Sequence, residues 1–142
     1  METSHYFYRN VIFSKQGKTI SLIDIYHPKS ERKELDSWFG MILQLADGQH
    51  TVEQMIQFMG GQYNGIPPKN LRNTLVSVVD RMVKAKLIML TEEPTDLPYY
   101  LSMPYEMLDI DKAKKKIAQD RVDINYTSPL LYASKSKKPN SL

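Results

Sequence analysis

Residues 35–56, Leu-Asp-Ser-Trp-Phe-Gly-Met-Ile-Leu-Gln-Leu-Ala-Asp-Gly-Gln-His-Thr-Val-Glu-Gln-Met-Ile, leave this chain few choices of local structure. They carry the start and stop signals of two helices in close succession. Asp36 or Ser37 can accept a hydrogen bond from the free amides of a first turn. Trp38, Met41, Ile42 and Leu45 then recur at helical spacing, which predicts a helix over residues 37–46 with one apolar face. Gly48 can take the left-handed conformation that ends such a helix in a tight Asp-Gly turn. Thr51 and Gln54 have the spacing of a capping box. A second helix follows over residues 52–59, with Val52, Met55, Ile56 and Met59 inward and Gly60-Gly61 as its stop.

The flanking segments extend this pattern. Residues 6–13 are rich in aromatic and β-branched side chains and read as a strand. A turn at Lys15-Gln16-Gly17-Lys18 leads to a second strand over residues 19–26, so the two form a hairpin. In that second strand Ile20 and Leu22 point one way and Ile23 and Ile25 the other. Either both faces are covered or a bulge shifts the phase. Ile66-Pro67-Pro68 delivers the chain to a third helix over residues 69–85, and Leu87-Ile88-Met89-Leu90 follows as a short strand or cap. The fold class is therefore α+β, with a hairpin or three-stranded sheet ahead of three helices. After Thr91, prolines at 94, 98 and 104 interrupt regular structure, and residues 107–121 read as one more helix with Leu108, Ala113, Ile117 and Val122 on its apolar side. The domain organisation is then residues 1–90 as one folded domain and 91–142 as an extension whose basic end, from Ser134, reads as disordered.

The third helix carries two apolar stripes. At 100° per residue Leu71, Leu75, Val78 and Met82 form one, and Val76, Val79 and Val83, joined by Arg72, form another. A helix of a small domain needs a second stripe only where something covers it. Either the segment after Thr91 packs on these valines, or an extended peptide lies along them with Arg72 selecting an acidic residue.

Composition narrows the function. With no cysteine among 142 residues, neither a disulfide framework nor a thiolate metal site can be drawn. The N-terminus lacks a basic segment followed by an apolar run, and no stretch approaches a membrane span, so the chain reads as cytoplasmic. Its net charge of +3 is unevenly spread. Residues 112–142 hold eight basic and two acidic groups, a net +6, which leaves −3 on residues 1–111. The folded part is thus no general polyanion binder. His5, His27 and His50 lie in three different elements without metal-ligand spacing, and no metal or cofactor is expected. On a strand, Asp24 and His27 point to opposite faces, so Ser21, Asp24 and His27 make no catalytic set. No catalytic residue is nominated.

Residues 35–90 resemble the PqqD-like proteins, the recognition elements of ribosomally made, post-translationally modified peptides. The resemblance rests on Leu35-Asp36, the helix ending Leu43-Gln44-Leu45-Ala46-Asp47-Gly48, the Thr51-Val52-Glu53 start of the next helix, and the stretch from Leu75 to Leu90. It implies a winged-helix-like fold and a non-catalytic role. Members bind the leader of a precursor peptide and present it to a modifying enzyme, often a radical-SAM enzyme. The leader adds to the edge of the third strand and packs against the third helix. Carried onto this sequence, that implies peptide-binding residues Arg32, Lys33, Glu34 and Leu35 on a strand over 31–35, and Arg72, Val76, Val79 and Val83 on the helix. This strand is more polar than is usual in the family, and Lys86 stands where glycine is common.

The rival reading is a winged-helix DNA-binding regulator. Residues 66–90 carry Lys69, Arg72, Arg81, Lys84 and Lys86 against Asp80, a net +4. A charge run of this kind is more simply a solvated face. A third reading makes the basic extension a tether to a larger enzyme, which is compatible with peptide binding.

Overall fold

The computed structural model of the chain describes residues 2–120. These form an α+β protein of two three-stranded antiparallel sheets and four α-helices. The α+β class holds, and a three-stranded sheet, three helices and an extension with a further helix come in the expected order, but a strand over Asp47–Thr51 stands between the first two helices and the strand at Tyr6–Arg9 belongs to a second sheet. The basic end from Ser134, with Arg121 and Val122, lies outside the described residues.

The chain groups into two compact units. The first joins the N-terminal residues up to Arg9 with Asp36–Leu97, and the second joins Asn10–Leu35 with the chain from Pro98. The grouping does not follow the sequence position 90: residues 91–97 go with the first unit, and 10–35 go with the extension.

In the first unit, β1 (Tyr6–Arg9) is the middle strand between β5 (Asp47–Thr51) and β6 (Ile88–Thr91). Helices α1 (Ser37–Leu45), α2 (Val52–Gly60) and α3 (Leu71–Lys84) complete it. The helix starts follow the local code. Asp36 caps α1 by accepting from the Phe39 N–H at 3.1 Å, and Thr51 and Gln54 form the complete capping box of α2. A cap of this type contributes about 1 kcal/mol. The stripe Leu71, Leu75, Val78 and Met82 is buried, as are Val52, Met55, Ile56 and Met59 of α2.

The end of α1 differs from expectation. Gly48 does not terminate it; the helix stops at Leu45, and Gly48 lies inside β5 with φ +79°. A buried arginine does the capping instead. The Arg9 guanidinium donates to the carbonyls of Leu43 and Gln44, each at 3.2 Å, and its backbone N–H donates to the Ala46 carbonyl at 2.8 Å. Helix C-terminal carbonyls favour a cation and need donors. Strand β5 is itself irregular: Tyr6 opposes Thr51 while Tyr8 opposes Asp47, so β5 carries two more residues than the β1 segment it spans. The Asp-Gly turn chemistry survives as this bulge, with the Gln49 N–H bonded to the Asp47 carboxylate at 2.9 Å.

In the second unit, β2 (Phe13–Gln16) pairs with β3 (Thr19–Leu22), and β3 with β4 (Lys33–Glu34). The hairpin turn is Gly17-Lys18, with Gly17 at φ +63°. Two short 3₁₀ turns, Tyr99–Leu101 and Tyr105–Met107, lead to helix α4 (Ile110–Asp120), whose Ala113 and Ile117 are buried with Leu108. Asp109 starts α4 by accepting from the Lys112 N–H at 3.2 Å.

Three expectations about strands need correction. The strand expected over residues 6–13 is broken between Arg9 and Phe13, and its halves belong to different sheets. Val11 and Ile12, both buried, lie in the break between the two halves. The strand expected over 19–26 ends at Leu22, which is why Ile20, Leu22, Ile23 and Ile25 are all buried despite opposite strand phase. The strand expected over 31–35 forms ladder pairs only at Lys33 and Glu34.

Candidate functional site

The second unit presents a sheet whose two edges are treated differently. In the β2–β3 ladder, Lys15 opposes Ile20 next to the paired turn residues Gln16 and Thr19. Antiparallel pairing alternates, so this register turns the Lys15 N–H away from β3. That N–H donates to the Glu106 carboxylate at 2.9 Å. The Ser14 hydroxyl also donates to Glu106. Arg32 donates to the Ser14 oxygen at 2.8 Å and to the Pro28 carbonyl at 3.3 Å, and lies 3.6 Å from Glu106. Burial works to raise the pKa of Glu106, but the Ser14 and Lys15 hydrogen bonds and the Arg32 charge outweigh it and hold the carboxyl below its ordinary range. A carboxylate from the extension thus occupies the outer edge of β2.

The other edge of this sheet is β4. The Leu35 N–H donates to the Ile20 carbonyl at 2.8 Å, and Glu34 opposes Ser21. The alternation therefore directs the Glu34 N–H and C=O away from β3. Among the described residues no strand pairs with that side of β4. Lys33 and Glu34 are exposed, and Leu35 is half-buried. Arg32, expected among the peptide contacts, is committed to Ser14, Pro28 and Glu106.

The helix residues nominated from sequence lie in the first unit, so the two groups of nominated residues belong to different units. Val79 has no exposed surface, whereas Val76 and Val83 are half-buried. Arg72 is exposed and bound to Glu53 of α2. Hydrogen bonds from Arg72 and Gln57 depress the Glu53 carboxyl to about 2. Any acidic peptide residue meeting Arg72 would compete with Glu53. Other cations of α3 are likewise engaged: Lys84 lies 3.0 Å from Asp80, and Arg81 stands 5.3 Å from the centre of the Phe39 ring.

Sequence reasoning missed the surface between α1 and α2. Phe58 is 50% exposed and Met41 41% exposed, and two hollows share Phe58 as a wall. One, of about 230 Å³, is lined by Phe7, Leu45, His50, Gln54, Met55 and Phe58. The other, of about 250 Å³, is lined by Trp38, Met41, Phe58, Met59, Gln62 and Tyr63. The signal was present: Phe58 falls off the Val52, Met55, Ile56, Met59 stripe, an aromatic residue on the side of α2 that should be polar.

The histidines also need correction. Asp24 and His27 are not on opposite faces of a strand; the chain turns after Leu22, and His27 Nδ1 lies 3.0 Å from the Asp24 carboxylate. The same carboxylate accepts from the Tyr26 N–H at 2.8 Å, so it organises a turn. Ser21 is buried in the sheet, and His27 is exposed. Among the described residues no group of three potential ligands is placed to hold a metal ion, and no helix is long and apolar enough to cross a membrane.

No protein-family model, curated protein or solved structure matches this chain.

Proposed function

We propose that this chain is a non-catalytic peptide-binding protein. In this reading it takes the leader of a ribosomally made precursor as an added strand and presents it to a modifying enzyme in the cytoplasm, of the kind that radical-SAM chemistry exemplifies. The observation that carries the reading is the asymmetry of the second unit's sheet: Glu106 closes the β2 edge, while β4 turns the backbone groups of Glu34 outward. Strand addition uses these backbone groups and makes few demands on sequence. Lys33 and Glu34 flank the edge with opposite charges. They discourage pairing between copies while leaving the main chain reachable.

The extension contributes to the unit that bears this edge, so it cannot be a tether alone. Lys115 and Lys116 of α4 are exposed, whereas Lys112 and Lys114 stand over the Tyr99 and Tyr26 rings at 4.3 and 5.6 Å. In this proposal Lys115 and Lys116 face the enzyme. A DNA-binding role draws less support, because Arg72 and Lys84 of α3 are each paired with a carboxylate.

The test is an NMR titration of the full chain with peptides encoded by short reading frames beside its gene. Binding should shift the amide signals of residues 33–35. Glu34→Pro removes only the outward N–H and keeps the pairing to β3, because an edge strand tolerates proline there. It should weaken binding at least about tenfold, the share of one lost backbone bond. A bound peptide that leaves these amides unshifted, or that binds Glu34→Pro equally well, would overturn the assignment.

A further inference from the structure

In the second unit a short stretch of the extension meets the outer edge of β2 through a carboxylate. Tyr99 and Asp109 close the base of this stretch, the Asp109 N–H donating to the Tyr99 hydroxyl at 2.8 Å. Tyr100, Leu101 and Leu108 bury its two ends, whereas Glu106 and Met107 at its crest are exposed. The crest can therefore lift while both ends stay in place. Two donors and a cation of the sheet converge on Glu106: the Ser14 hydroxyl, the Lys15 N–H at 2.9 Å and the Arg32 guanidinium at 3.6 Å. Hydroxyl, backbone N–H and guanidinium together make a receptor for a carboxylate. Arg32 is itself oriented by the Ser14 oxygen at 2.8 Å and the Pro28 carbonyl at 3.3 Å. The receptor is thus built by β2 and the β3–β4 connection, and Glu106 is its guest.

We infer that Glu106 is an internal competitor for an acidic side chain of an extended peptide, and that β2 receives such a peptide once the crest lifts. The register supplies the geometry. Lys15 turns both its N–H and its C=O away from β3, so an added antiparallel strand can exchange two backbone bonds with it. A carboxylate only accepts, so Glu106 serves the N–H but cannot serve the C=O. The next residue of the added strand stands opposite Ser14, with its side chain on the Ser14 face of the sheet. A glutamate or aspartate there meets the Ser14 hydroxyl and Arg32, the partners that Glu106 now holds. One acidic segment thus replaces the Ser14, Lys15 and Arg32 contacts of Glu106 and adds a bond at the Lys15 carbonyl. This inference does not rest on the β4 edge, and the two are read out at different amides.

The probe is an acetylated, amidated pentapeptide with glutamate at its centre and threonine elsewhere, titrated into the full chain and followed at the Lys15 amide by NMR. The glutamine-centred peptide is the comparison. In Glu106→Ala the glutamate peptide should shift the Lys15 signal saturably at millimolar concentration and slow its hydrogen exchange. The glutamine peptide should bind at least about tenfold more weakly, the share of hydrogen bonds to a charged acceptor. The unaltered chain, with Glu106 in place, should also bind the glutamate peptide at least about tenfold more weakly than Glu106→Ala does. Exchange at Ser21 reports whether the ladder is intact. Where Glu106→Ala loses it, Glu106→Gln, which keeps the size of the side chain, takes its place with the same expected outcomes. The inference falls if the glutamate peptide leaves the Lys15 amide of the intact variant unmoved. It falls equally if glutamine serves as well as glutamate, or if the unaltered chain binds as tightly as the variant. The β4 assignment, read at residues 33–35, is untouched by these results.

Discussion

At Lys86 a lysine does the work of a glycine. Its φ is +63°, in the left-handed region, and it follows the last residues of α3. The Lys86 N–H donates to the Val83 carbonyl at 3.0 Å and the Leu87 N–H to the Met82 carbonyl at 2.9 Å, the paired bonds of a Schellman ending. A side chain there costs about 1–2 kcal/mol. Lys86→Gly should therefore stabilise the protein by about 0.5–1 kcal/mol after the added freedom of the unfolded chain is subtracted, measurable as a higher urea midpoint. Gly48 is the opposite case. It has φ +79°, and a Cβ there would lie 2.2 Å from the Thr95 carbonyl oxygen, a backbone atom. Gly48→Ala should cost about 2–4 kcal/mol, strain and clash together. Gly17 has positive φ but open space around it, so Gly17→Ala should cost only about 1 kcal/mol in the same urea experiment.

Between elements, single side chains make the joins. Glu106 substitutes for a neighbouring strand on β2. Removing it in Glu106→Ala should accelerate hydrogen exchange of the Lys15 amide about tenfold, the value of one backbone bond to a charged acceptor, while Ser21 inside the ladder remains protected. Helices α2 and α3 are joined by Glu53 and Arg72. The folded-state pKa of Glu53, about 2, lies below its ordinary 4.5. The pair's contribution is thus complete above about 4.5 and fades as pH falls through about 2. Arg72→Leu should return the Glu53 midpoint toward 4.5 in a carboxyl NMR titration, with little loss of stability at neutral pH because the pair is exposed.

For the molecule as a whole, the path of the chain matters more than its length. It leaves the first unit after Arg9, returns at Asp36, and leaves again at Pro98. The second unit is therefore made of two segments far apart in sequence, and its three-stranded sheet shares that unit with buried Tyr100, Leu101, Leu108 and Ile117. A small sheet without a covering layer is only marginally stable. Truncation after Leu97 should abolish exchange protection across residues 13–22 while β1, β5 and α1–α3 remain protected, as measured by hydrogen exchange with mass spectrometry. Undiminished protection of the hairpin would show that the extension does not support it.

The sequence alone determined what is local: a cap at Asp36 or Ser37, the Thr51–Gln54 box, the buried stripe Leu71, Leu75, Val78 and Met82, and the three helices they define. These depend on residues within one or two turns of each other, so spacing suffices to read them. Tertiary structure decided which strands pair. It split residues 6–13 between two sheets, made a bulge of Asp47-Gly48, and brought Arg9 to the end of α1 and Glu106 to the edge of β2. It also left Phe58 exposed between two hollows. Each of these depends on partners far away in the chain, and hydrogen-bond donors and acceptors are too alike along a backbone for periodicity to say which ones meet.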